Sequence, residues 1–533
     1  MNKTAMLTAG CALAIVATFG TDTQAQDNQT GTDQQFGRVH FETSCNDVAQ
    51  RRFDRALRYQ HSFWYQQSRE IFEEAASADP SCGIALWGVA VAYLNNPHSP
   101  IPEPNLAPGL AAVEKARAAG AKTERERDYI DAIAMMYTDY DKLSHTQRMR
   151  RYLQAMEQVA KKYPADDEAQ IFYAITLNTS ASPADKTYSQ QLKGAAILEE
   201  IWKRQPMHPG VAHYLIHLYD YPALASRGLE AAQKYAQIAP AAPHAQHMPS
   251  HIFTRVGYWQ DSIASNTASA KAALAAKEWS DQLHATDYVV YANLQLARDK
   301  EAQGIIDDMS RVTGIAPSAF AAYYALAASP ARYRIERGDW AGAAQLDVRP
   351  SIFPHVMAIT HFARALGAAR SGQPEAARQD IAKLAELRDK LREAKNDYWA
   401  EQVDIQWQIA SAWLLNAEGK ADEASAAMRA AADAEDKTEK APVTPGPLAP
   451  ARELYGQMLL EHGRTQDALA AFEATKAKEP NRFNGFLGAA QAAAKLGNKD
   501  AATENYRKLL GLAEGSNSSR NELELARAWL KTN

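Results

Sequence analysis

The sequence predicts an all-α protein, a right-handed solenoid of antiparallel helix pairs. Three observations lead there. Alanine-rich amphipathic segments succeed one another along the chain, with no convincing run of alternating β-branched residues. At 533 residues the chain is longer than a single compact core usually grows. Spacings of 34 residues also recur, from His213 to His247 and again from His217 to His251, which is the length of one helix-pair repeat. Composition adds what to exclude. With 46% hydrophobic and 23% charged residues and a formal net charge of −5, the chain lacks the basic excess that nucleic acid or an anionic membrane would demand.

The first element, residues 1–25, reads as an export signal. Lys3 gives the positive start, Ala5 to Phe19 the apolar run, and Thr23-Gln24-Ala25 a small-residue cleavage end. The run is too short to span a bilayer comfortably, so no transmembrane segment is expected in the mature chain. Cys11 lies inside that run and does not suit lipid attachment. Residues 26–45 follow as a flexible segment, polar at first (QDNQTGTDQQFGR). Only Cys45 and Cys82 survive cleavage. In an oxidising compartment such a pair favours a disulfide.

The helix pairs then run in order. An N-terminal array over 46–310 begins with a unit carrying Ala56, Tyr59, Ser68, Phe72, Ala75 and Pro80. A second starts near Cys82 with IALWGVAVAYL, and a proline-rich insertion, NPHSPIPEPNLAP, precedes the helix from Gly109. YIDAIAMMY, RYLQAMEQVAKKYP and DEAQIFYAITL continue the series, and the turns at Gly257 and Gly338 mark helix-pair corners. Degenerate repeats fill 311–435. The stretch 436–450, DKTEKAPVTPGPLAP, is a proline-rich loop, expected to lie across the array and not to hinge independent domains. Residues 451–533 hold a final pair of repeats and a charged capping helix at 519–531.

The small and bulky residues of the C-terminal part, Gly456, Gly463, Ala468, Phe472 and Pro480, then Ala490, Gly497, Ala502 and Tyr506, resemble the tetratricopeptide (TPR) pattern. Beyond the general repeat, FETSCNDVAQRRFDRALRYQHSFWY, DPSCGIALWGVAVA, HPGVAHYLIHLYDYP, HMPSHIFTRVGYW and EPNRFNGFLGAAQAAAKLG resemble a family of exported bacterial TPR proteins. That resemblance implies a solenoid and a periplasmic location. It implies no reaction.

The candidate site is histidine-rich. Seven of the 14 histidines fall between His208 and Tyr291. His213, His217 and Asp220 share one helix face, as do His244, His247 and His251, and as do His284, Tyr288 and Tyr291. By the TPR resemblance these are groove positions, so His213, His217, His247 and His251 are expected to converge and could hold one ion. His244, Asp220 and His284 would reinforce them, with Asp287 or Tyr288 nearby. Arg255 would meet an anion or pair with Asp220. Neutral imidazoles with a carboxylate suit zinc, copper or nickel. HxxxH here lacks the glutamate of a metalloprotease, Ser250 has no nucleophile elbow, and neither a phosphate loop nor a dinucleotide fingerprint occurs.

Three readings remain open at this level: a metal or small-ligand site, a structural polar network, and a peptide-binding groove. TPR proteins generally are interaction scaffolds, so a groove holding a protein or peptide partner ranks first. Metal binding, or a metal-dependent enzyme, is the alternative. His61 is read as packing.

Overall fold

A computed structural model describes residues 34–533. Residues 1–25, expected to be an export signal, and with them Cys11, lie outside the described residues. Among the described residues the structure is α-helical with short 3-10 turns and no strand, and none of its helices is long and apolar enough to cross a membrane. Helices pack chiefly on their chain neighbours, as Asp47–His61 on Tyr65–Ala78, Trp259–Ala276 on Trp279–Gln295, Pro354–Arg370 on Pro374–Glu393, and Phe483–Lys495 on Lys499–Leu512. The fold is an all-α, TPR-like solenoid of antiparallel pairs.

The small residues of the repeat earn their place by close approach. A Cβ built on Gly88 would stand 2.3 Å from the Phe72 ring, and one on Gly488 2.2 Å from Phe472. The bulky ring of one helix occupies the space that a missing side chain leaves on the next. Gly257 combines two demands. Its φ of 72° is left-handed, and a Cβ there would meet the Pro480 carbonyl oxygen at 2.5 Å.

Residues 34–45 correct the expectation of a flexible segment. Phe36 stacks on Tyr59 with ring centroids 4.3 Å apart, and Phe41 is buried among Phe53, Trp87 and Tyr129. Apolar residues within a polar tract carry this segment onto the core. Cys45 and Cys82 are joined, with Cα atoms 5.1 Å apart, tying it to the start of the helix Gly83–Tyr93.

Two long-range features shape the interior. The C-terminal repeats fold back on the middle of the chain: the Trp259 indole donates to the Asn481 carbonyl (2.7 Å), and buried Arg482 pairs with Glu336 (2.8 Å), Glu453 (2.9 Å) and the Tyr291 hydroxyl (2.7 Å). Between these turns runs the strap 436–450. Its backbone carbonyls accept from Tyr288 (Pro442, 2.9 Å), Arg332 (Pro447, 2.9 Å) and Tyr398 (Glu439, 3.0 Å), and Lys440 reaches Asp220 at 3.2 Å. These partners lie on, or at the end of, the first helices Pro209–Tyr219, Trp279–Gln295, Phe320–Glu336 and Asp397–Ala417, so the strap lies along the inner surface.

Candidate metal centre

Three segments supply the histidines. Helix Pro209–Tyr219 presents His213 and His217 one turn apart. The next first helix is broken into Pro243–His247 and Pro249–Val256, because Pro249 has no amide hydrogen to bond backwards. Met248 nevertheless keeps helical dihedrals (φ −53°, ψ −37°), so His244, His247 and His251 stay on one face. Trp279–Gln295 adds His284.

The side chains form two sets of three. In His213, His217 and His244, and likewise in His247, His251 and His284, the ligand atoms lie within 4.8 Å of one another. His217 Nε2 and His244 Nε2 stand 3.1 and 3.2 Å from His213 Nε2, and the Nε2 atoms of His247 and His251 are 3.0 Å apart. The four residues expected to share one ion are thus divided two and two. Each pair follows its own helix, because the i, i+4 reach is shorter than the step between helices. The sets still adjoin: ring centroids of His217 and His251, and of His244 and His247, are 6.1 Å apart.

The outer nitrogens explain the orientation of the inner ones. His213 Nδ1 lies 2.7 Å from the His61 carbonyl oxygen, which can only accept, so Nδ1 carries the proton and Nε2 a lone pair. His251 Nδ1 donates to the Asp220 carboxylate at 2.8 Å. His247 Nδ1 donates to Asn266 Oδ1 at 2.6 Å, the amide nitrogen of Asn266 being spent on the Ser262 carbonyl. Orientation of a metal-binding imidazole by a carbonyl or carboxylate behind it is the usual arrangement in metal sites.

Electrostatics keep the rings neutral. Burial pushes His213 and His284 down to about 3. It also drives His217, His244 and His247 well below the ordinary imidazole range, and the neighbouring imidazoles add to the effect. Burial opposes the charge of Asp220, but Lys440, Arg255 and His251 outweigh it and hold the carboxyl well below its usual range. Burial lowers Lys440 to about 8.

Several residues take roles other than those expected. Asp220 stands behind His251 and in neither set; Arg255 Nε pairs with it at 2.8 Å. Tyr288 packs against the His247 ring (4.8 Å) while its hydroxyl serves the strap. Asp287 faces away toward Ser329 (2.7 Å). His61 is more than packing, since its carbonyl sets His213. Its own ring joins His208 on Glu168 (3.1 and 2.9 Å), a buried trio whose ring nitrogens are all satisfied within the protein.

Sequence reasoning missed His98, Phe63, Asn266 and Lys440. Phe63 caps the first set, 4.3 Å from His213 and 5.1 Å from His244. His98 comes from the proline-rich insertion and stacks on His217 at 4.2 Å, its Nε2 buried without a hydrogen-bond partner. A cavity of about 240 Å³ opens onto His98, His217 and Asp220, walled by the strap at Lys440 and Pro442. A loop residue carries no periodic signal; for His98 the only hint was a histidine among prolines.

No family model matches the chain, and no curated protein matches it. Solved structures similar to it include yeast Tom70 (13% identity, 90% of this chain and 88% of that one, TM-score 0.30). The APC/C hetero-tetramer Cut9–Hcn1 (10%, 96% and 99%, TM-score 0.28) and Naa15/Naa10 bound to HypK-THB (13%, 90% and 77%, TM-score 0.24) are also similar. At such scores these likenesses carry no argument. What the fold and site define is a TPR-like solenoid with a histidine-lined interior.

Proposed function

We propose that this protein binds first-row transition-metal ions, zinc or copper, through two three-histidine sites on the inner surface of its solenoid. One observation carries the reading. His247 and His251 both spend their Nδ1 protons on fixed acceptors, yet their Nε2 lone pairs face each other at 3.0 Å. In a plain polar network two lone pairs at that distance repel. Around an ion they are ligands: bonds of about 2.0–2.1 Å at tetrahedral angles place neighbouring donors about 3.3 Å apart. Three protein ligands leave a position open, the arrangement of binding or catalytic sites more than of closed structural ones.

The scaffold reading meets an obstacle in the strap, which takes the inner surface that a peptide would use. A protein partner would have to engage the outer face or displace 436–450. Export to the periplasm remains part of the proposal, supported by the sequence of residues 1–25 and compatible with a joined Cys45–Cys82.

Protein made without a histidine tag, loaded with zinc or copper and desalted, should carry close to two ions per chain. His217→Ala and His251→Ala should each lower this by about one ion with little change in helicity. Substoichiometric metal in the wild type, unmoved by either substitution, would leave a structural polar network.

A further inference from the structure

The two histidine sets show where ions would bind, and their charge balance indicates what must bind with them. All six candidate ligands are neutral imidazoles; neither set contains a carboxylate. The nearest carboxylate, Asp220, is already engaged by His251, Arg255 and Lys440. Asp287 is held by Ser329 and faces Arg332 at 3.7 Å. Glu439, on the cavity wall, is paired with Lys186 at 2.8 Å and Tyr188 at 3.1 Å. Two divalent ions here would bring charge into a buried space whose nearest carboxylates already have cationic partners, and unpaired buried charge is costly. The compensation has to come from solution.

The geometry supplies both a place and a path for it. The sets adjoin through two ring pairs, His217 with His251 and His244 with His247, both 6.1 Å between centroids, with no backbone layer between them. Each set has three ligands and so an open position. The cavity reaches His217 beside Lys440, whose cation would draw an anion inward, and His98 stands there with its Nε2 unpaired.

We propose that the two sets form a single dinuclear centre whose ions share a small exogenous anion, hydroxide at rest, admitted through the cavity at His98 and His217. Two ions joined in this way stand about 3.5–4 Å apart. The inference rests on the metal-binding reading above, but the two can fail separately.

Copper(II) with azide as a substitute bridging anion is the probe. Full-length protein loaded with copper(II) should show paramagnetic resonance intensity far below that of its copper content, because bridged ions couple. Acid release should restore the full signal, proving the metal was copper(II). Azide should add a charge-transfer absorption that saturates at about one azide per pair of ions. His244→Ala and His284→Ala should each leave one uncoupled copper with full intensity. Two coppers per wild-type chain that give full intensity before and after azide would overturn the shared centre while leaving the metal reading intact. Little or no bound copper would remove both. Coupling in the wild type decides the matter even if a variant does not fold.

Discussion

At the scale of single residues, the interior is arranged to keep histidines uncharged, and that has a pH consequence. Burial holds His213, His284 and His355 near 3 in the folded protein, against about 6.5 in an unfolded chain. Between those values the unfolded state takes up protons that the native state refuses. Stability of the metal-free protein should therefore fall as pH drops from about 6.5 toward 3 and be fully present above that window. The urea midpoint measured at pH 7, 6, 5 and 4 tests this, with zinc-loaded protein alongside. A flat profile for the metal-free protein would mean that the cluster accepts protons while folded. Much of this site could be read from the chain. The i, i+4 pairs and their 34-residue echo located four of the six set members, and same-face spacing added His244 and His284. The sequence could not show how the rings would group, because grouping depends on which outer nitrogen finds an acceptor. His61, distant in sequence, contributes its carbonyl, and Asn266 comes from the second helix of a pair.

Among the elements, the strap is the most informative. Four prolines marked it as loop, but proline only removes donors; it says nothing about which side chains will donate to the carbonyls that remain. Those donors, Tyr288, Arg332 and Tyr398, lie on three separate helices. The same limit applied to 34–45, where polar composition concealed Phe36 and Phe41. A strap held this way should resist trypsin at Lys437 and Lys440 although it contains no helix. Tyr288→Phe removes one hydroxyl donor, worth about 1 kcal/mol, and should raise the cleavage rate at those lysines by about fivefold, with helicity unchanged. Equal cleavage of wild type and variant would show that the hydroxyl does not hold the strap.

For the whole molecule, the contact between distant turns matters most. Arg482 is fully buried, and its partners Glu336 and Glu453 are 1% exposed. Arg482→Met would leave two carboxylates facing each other without a cation, a change expected to cost about 3–5 kcal/mol. Because Arg482 joins the last repeats to Tyr291 and Glu336, the loss should also loosen their coupling. Calorimetry should record one transition for the wild type and a lower, broadened or split one for the variant. Two resolved transitions in the wild type would instead mean that residues 451–533 melt independently. The repeat pattern foretold helix pairs at both ends of the chain, but not that the last repeats would meet its middle, since curvature accumulates from small rotations at each pair.

The strap's position along the inner surface can also be put in terms of competition. A tethered segment confronts its own groove at an effective concentration of order millimolar. A free peptide of equal intrinsic affinity would have to exceed that level to occupy half of the grooves, whereas a small anion entering beside Lys440 meets no such rival. On the proposed reading the segment would act as a size filter, closing the solenoid to chains while leaving it open to ions.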